Sequence, residues 1–265
     1  MAVLLEGGCR VTNMREGVPQ QSGTLRVWPQ IGRSTGAQAI SLRVLEFAPG
    51  VSPAWRNEAC DEILYVGGSE TSDDNEATPP ATAFIDGRPF AVPSQTGIYL
   101  RPGQSLRVDN HGIEPLVMIS SQCPEPLETD FRTTTPVTSP LLASAAPVKA
   151  PIVRLADRAA QPTADRWYRV LVDDEVGSAQ VTQFVGSIPP GRAPDHFHHY
   201  EEVLFILRGA GRMWAGETQT MIGEGSCVYL PPGQIHCVEN TGAGELRLLG
   251  VFYPAGSPSV RYEVD

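Results

Sequence analysis

An internal repeat constrains this chain more than any other feature. Residues 36–50, Gly-Ala-Gln-Ala-Ile-Ser-Leu-Arg-Val-Leu-Glu-Phe-Ala-Pro-Gly, and residues 177–191, Gly-Ser-Ala-Gln-Val-Thr-Gln-Phe-Val-Gly-Ser-Ile-Pro-Pro-Gly, share one length and one Pro-Gly end. Further on, Arg56, Glu58 and Glu62 align with His196, His198 and Glu202 at a spacing of 140, and residues 103–110 match 233–240 at a spacing of 130. The difference falls in the polar, aperiodic residues 67–80 of the first copy. Each copy then ends in an apolar segment, 114–121 and 245–252. Two copies of one unit are expected.

The unit is a β unit. Short alternating Val/Ile/Leu/Phe segments are bounded by Gly and Pro, of which the 265 residues hold 26 and 24, so turns and short strands dominate over long helices. Residues 10–29 are polar and turn-rich, with Arg26-Val27-Trp28 as the first strand candidate. Between the copies, residues 123–151 carry six prolines among Thr, Ser and Ala, which reads as a linker with at most one short helix at 141–146. The expected division is a first domain at 1–123, a linker at 124–151 and a second domain at 152–265.

Several function classes drop out. A net charge of −10 with no Lys/Arg run argues against nucleic acid as a partner. No apolar run approaches the roughly 20 residues needed to span a bilayer, so no membrane role is expected. Five cysteines without a CxxC pair or a leader-like start point to reduced thiols and a cytoplasmic location.

The second copy carries the chemistry. It reads Gly191-x4-His196-x-His198-x3-Glu202-x6-Gly209, then Gly225-x5-Pro231-x-Gly233-x2-His236-x3-Asn240. Side chains alternate along an extended chain, so His196 and His198 share a face and Phe197 takes the other. Glu202 has the same parity, and His236 returns on another strand after Pro231-Pro232-Gly233. Three imidazoles and a carboxylate suit one divalent transition metal, whereas an all-oxygen cage would suit Mg or Ca. Parity places Leu204, Ile206 and Val238 on the same inner wall. His199 and Glu201 have the opposite parity and are expected outside or behind the ligands, in a solvated structural role.

These paired motifs resemble those of the cupin superfamily, and the repeat extends the resemblance over most of the chain. It implies an all-β protein of two tandem jelly-roll barrels, a bicupin. It also implies a metal site formed by His196, His198, Glu202 and His236, with Glu202 as ligand or nearby proton acceptor. Iron is the leading expectation, with Mn, Ni, Zn, Cu and Co also compatible. The resemblance to mononuclear cupin dioxygenases implies an oxidoreductase acting on a small organic substrate with dioxygen, and a homodimer is the expected assembly. Two alternatives stand beside it: a non-redox isomerase, cyclase, decarboxylase or hydrolase, and a non-catalytic binding bicupin. Bicupins resembling oxalate decarboxylase carry metal motifs in both halves, and this chain has one.

In the first copy Arg56, Glu58 and Leu106 stand where the second has histidines, so no metal is expected there. Arg56, Glu58 and Glu62 are expected to form one structural charge cluster, the alternative being a pocket in which Arg56 binds a substrate carboxylate.

Overall fold

The computed structural model describes residues 1–68, 79–127, 150–260 and 262. Most of the polar stretch at 67–80 and nearly all of the linker, with the helix expected at 141–146, lie outside the described residues. Among those residues every strand pairing is antiparallel, and the only helices are three short 3-10 turns. No helix among them is long and apolar enough to cross a membrane.

Each half is a two-sheet barrel. In the first, a seven-stranded sheet runs in the order Ile152–Arg154, Thr96–Leu100, Asp61–Val66, Leu116–Cys123, Leu42–Phe47, Leu25–Ile31 and Gln20–Ser22. It faces a second sheet centred on Ala81–Ile85 and Ser105–Asn110. In the second barrel an eight-stranded sheet places Glu201–Arg208 between Ser226–Leu230 and Leu246–Tyr253, and a four-stranded sheet contains His236–Asn240 and Ala210–Ala215.

The sheets cross the division expected at 123 and 152. Arg10–Asn13 pairs with Ser226–Leu230 of the second barrel, and Ile152–Arg154 pairs with Thr96–Leu100 of the first. Each exchange covers a strand whose N–H and C=O groups would otherwise be an open edge. The strand Arg10–Asn13 was not legible in the sequence, because Arg-Val-Thr-Asn offers a single apolar side chain.

Three apolar clusters hold the molecule together. One fills the first barrel, with Leu25, Leu45, Phe47 and Leu106, and one fills the second, with Leu204, Ile206, Met213 and Val238. The third lies between the barrels and joins Trp28, Ile63 and Tyr99 to Val203, Phe205 and Tyr229. This explains why 203–207, Val-Leu-Phe-Ile-Leu, is an unbroken apolar run: Leu204 and Ile206 face their own barrel while Val203 and Phe205 face the other one, so both sides of the strand are buried.

The same clamp fixes the second motif in both barrels. Asn240 Nδ2 donates to Ile188 O at 2.8 Å and Gly244 O at 2.7 Å, and Asn110 Nδ2 donates to Phe47 O at 3.0 Å and Glu114 O at 2.9 Å. A tight turn precedes each. Gly233 and Gly103 have φ of 79° and 84°, a conformation that costs glycine little. The N–H of Gly233 donates to His198 O at 2.7 Å, which ties the turn before His236 to the segment carrying His198.

Candidate metal centre

The structure brings His196, His198 and His236 together. Their ligating atoms all lie within 4.8 Å of one another, a spread that one ion with bonds of about 2.1 Å can draw in by small side-chain movements. His196 and His236 face each other across an isolated β-bridge, and His236 then begins its strand. His196 and His198 sit on a bridged segment before Glu201–Arg208, which differs from the continuous strand expected, although the alternation holds: Phe197 turns away and stacks on Tyr262 at 5.5 Å. The ring atom Nδ1 of His196 lies 3.1 Å from Pro194 O, and that of His236 lies 2.8 Å from Gln234 O. A proton on Nδ1 satisfies each carbonyl and leaves Nε2 as the lone-pair donor.

Glu202 stands beside them. Its Oε2 is 3.5 Å from His198 Nε2 and 3.8 Å from His236 Nε2, and its side chain is 6% exposed. Burial pushes this carboxyl up to about 8. Burial, with the neighbouring His196, pushes His236 down to about 3. Both shifts favour the uncharged forms of groups taken from water, and a cation among them would reverse the cost for the carboxylate. The donor set therefore fits a divalent metal.

The four groups open on a cavity of about 100 Å³ whose walls include Phe184, Ile188, Leu204, Val238, Leu248 and Phe252. Leu204 and Val238 are where parity placed them, and Ile206 lies in the apolar cluster behind. Phe184, Ile188, Leu248 and Phe252 were missed as wall residues, as was Arg166, whose parity with Tyr168 on one strand was the available signal.

Of the two neighbours with opposite parity, His199 is exposed as expected. Glu201 is not. It is 4% exposed and points between the barrels, where its carboxylate accepts from the backbone N–H groups of Gln38 at 2.6 Å, Ala39 at 2.7 Å and Ile40 at 3.1 Å, and from Tyr229 OH at 2.5 Å. Four donors replace the water it gives up.

In the first barrel the expected alignment shifts by one residue. Leu106 pairs with Trp55 as His236 bridges His196, and Gly103 N donates to Asn57 O as Gly233 N does to His198 O. Trp55 and Asn57, not Arg56 and Glu58, thus occupy the two histidine places. Arg56 and Glu58 form a surface ion pair at 2.6 Å, 40% and 69% exposed, apart from buried Glu62, so the expected three-residue cluster is not formed. The extra residue between Trp55 and Glu62 flips the intervening parity. Glu62 receives Arg43 Nη2 and Asn57 Nδ2, each at 2.5 Å, Ser120 Oγ at 2.7 Å and Trp55 Nε1 at 3.1 Å.

Comparison with known proteins agrees with this geometry. The Cupin domain family matches residues 184–252, which span Glu202 and all three clustered histidines. Residues 184–252 thus carry a Cupin domain. The chain's two-barrel cupin fold is shared with an oxalate decarboxylase of Bacillus subtilis, at a TM-score of 0.71 and 13% identity over 93% of this chain and 78% of the other. It is also similar to a putative glyoxylate-induced protein of Pseudomonas aeruginosa, at 0.71 and 16% over 97% and 93%. Identities this low describe the fold alone. In sequence, the uncharacterized protein MJ1618 of Methanocaldococcus jannaschii is 33% identical over 69 residues, 25% of this chain and 55% of that one. The chain spans about half or less of the length of the curated relatives it matches.

Proposed function

We propose that this bicupin is a mononuclear metal-dependent enzyme acting on a small organic molecule, with oxidative cleavage by dioxygen as its reaction class. The supporting observation is the convergence of His196, His198 and His236 with a buried carboxylate on one cavity. A divalent transition metal held there by the three Nε2 atoms and Glu202 would supply a Lewis-acidic, redox-capable centre.

The chain's own groups do the rest. Carbonyls of Pro194 and Gln234 fix the orientation of two rings, so that little rearrangement is needed on loading. The apolar walls exclude water from the substrate's carbon skeleton. Glu202 Oε2, buried 3.5 Å from His198 Nε2 and 3.8 Å from His236 Nε2, is placed to take a proton from an acidic C–H or O–H of the substrate and return it.

A decarboxylase is the second reading, supported by the fold shared with oxalate decarboxylase over most of this chain. Metal-loaded protein incubated with diketones, flavonols, catechols and short carboxylic acids, with and without air, separates the two. Oxygen uptake with substrate loss supports cleavage; carbon dioxide release without oxygen consumption supports decarboxylation. No turnover across metals and substrates would leave a binding bicupin.

A further inference from the structure

Rotation about the Cβ–Cγ bond of a histidine is broad and roughly two-fold, so the backbone alone does not fix where an imidazole nitrogen points. For His198 a flat wall is at hand. The ring of Tyr200 lies parallel to its imidazole, with centroids 4.9 Å apart and planes 11° from each other. Phe252 meets both rings at 53°, 5.5 Å from His198 and 4.8 Å from Tyr200, and is itself 1% exposed and packed on Phe184 at 5.0 Å. The chain at Gly256 closes on Tyr200 as well: a Cβ there would lie 3.0 Å from the ring and 3.2 Å from the hydroxyl oxygen. Gly256 N donates to Thr182 Oγ1 at 3.2 Å, which holds that stretch in place. Tyr200 therefore has little room to swing away from the imidazole.

We propose that Tyr200 is a positioning residue for the metal centre: its ring sets the plane of His198 and so the direction of the Nε2 lone pair, an inference that rests on the proposed metal-dependent function. That lone pair lies in the plane of the imidazole. A ring that turns carries its donor away from the point on which His196 and His236 converge. Offset-stacked aromatic rings at this separation attract beyond the area that they bury, which favours the parallel arrangement of His198 over a freely turning one.

The hydroxyl is not what this place uses. Tyr200 Oη is buried without a hydrogen-bond partner among the described residues, an arrangement that costs stability and adds none. The flat ring remains as the contribution. Comparison within the chain agrees. In the first barrel Asn57 and Glu62 stand at the places of His198 and Glu202, with one extra residue between them, so the place of Tyr200 falls on Ala59 counted from Asn57 or on Cys60 counted from Glu62. Where no imidazole has to be oriented, this place carries no aromatic ring.

The test begins with the metal-free full chain. Nuclear Overhauser contacts between the imidazole protons of His198, assigned by their loss in His198→Gln, and the ring of Phe252 report the orientation. They are expected in the wild type and in Tyr200→Phe, and are expected to disappear in Tyr200→Leu. Ile222→Ala removes a buried side chain of the same apolar cluster that does not line the cavity; it should lower the melting temperature and leave the contacts unchanged. With cobalt(II) bound, wild type and Tyr200→Phe should share one visible spectrum, whereas Tyr200→Leu should show an altered spectrum and about tenfold weaker cobalt binding at unchanged stoichiometry. Contacts or a cobalt spectrum unchanged in Tyr200→Leu overturn the proposal. So does a Tyr200→Phe protein that behaves as Tyr200→Leu does, since the hydroxyl would then be responsible. Should Tyr200→Leu not fold, Gly256→Ala, which keeps the ring and presses on it, is read by the same measurements, with no change as the overturning result. A wild type that takes up no cobalt refutes the metal reading separately, and the metal-free contacts then decide whether Tyr200 orients His198.

Discussion

Arg43 Nη2 lies 2.5 Å from Glu62 Oε1 inside the first barrel, with the two side chains 4% and 1% exposed. Glu62 pairs with Leu100 as Glu202 pairs with Leu230, so these are the same carboxylate in the two halves. In the first barrel a guanidinium neutralises it; in the second three imidazoles surround it, a place for a cation from outside.

Breaking that pair should therefore be costly. Arg43→Met leaves Glu62 buried without its counter-charge and is expected to destabilise the chain by about 3–5 kcal/mol, whereas Arg43→Met with Glu62→Gln should cost clearly less. Urea denaturation of the three proteins reads this; a single variant within about 1 kcal/mol of wild type would show that the pair is not what neutralises the first barrel.

The metal site should be confined to the second barrel. Protein purified without added metal and then loaded is expected to hold about one ion per chain, lost in His236→Ala and in His196→Ala. Leu106→Ala, at the place corresponding to His236, weakens the first core but should leave metal content unchanged in the folded protein. Stoichiometric metal in a His196→Ala/His236→Ala variant would refute the ligand assignment.

Metal-free protein should show the strain of the empty charge balance as a pH dependence. Glu202 is raised from 4.5 to about 8, so its contribution to stability is full below about 4.5 and is lost as pH rises towards 8. His236 is lowered from 6.5 to about 3, so its contribution is full above about 6.5 and is lost as pH falls towards 3. Glu202→Gln should consequently stabilise the metal-free chain more at pH 8 than at pH 5, by up to several kcal/mol, and saturating zinc should reverse the order. Equal effects at both pH values, followed by thermal melts, would contradict the burial of this carboxyl.

The sequence made the clustering of three histidines legible because a two-residue alternation and one turn bring His196, His198 and His236 together without help from the rest of the fold. The repeat likewise announced two β units. Illegible were features that depend on what a strand packs against. Glu201 has outward parity, but outward on that strand means into the other barrel, so a residue expected in water is buried. The first barrel's alignment failed for a local reason: one extra residue before Glu62 moves Trp55 and Asn57 to the histidine places, and a constant spacing of 140 could not show it.

Glu201 offers its own test of that interface. Glu201→Ala would leave the N–H groups of Gln38, Ala39 and Ile40 and the Tyr229 hydroxyl without their acceptor, at an expected cost of about 2–4 kcal/mol. Metal stoichiometry should not change, because the side chain lies on the opposite face from His198 and Glu202. A loss of metal with unchanged stability would place Glu201 with the ligands after all.

The second barrel should also depend on the first residues of the chain. Leu5, Cys9 and Val11 are buried in its apolar cluster, and Arg10–Asn13 covers the edge of Ser226–Leu230. Glu6 accepts from Glu217 N at 3.0 Å, and its own N–H donates to Thr218 Oγ1 at 2.8 Å. Gly7 lies so close to Gln234, whose carbonyl orients His236, that a Cβ would collide with that side chain. Removing residues 1–13 takes away three core side chains and exposes a strand edge, each loss worth about 2 kcal/mol or more. The truncated protein is therefore expected to melt earlier and to lose metal affinity, and a synthetic peptide of residues 1–14 should restore both. Wild-type melting and metal retention in the truncated chain would mean that the second barrel closes without this strand.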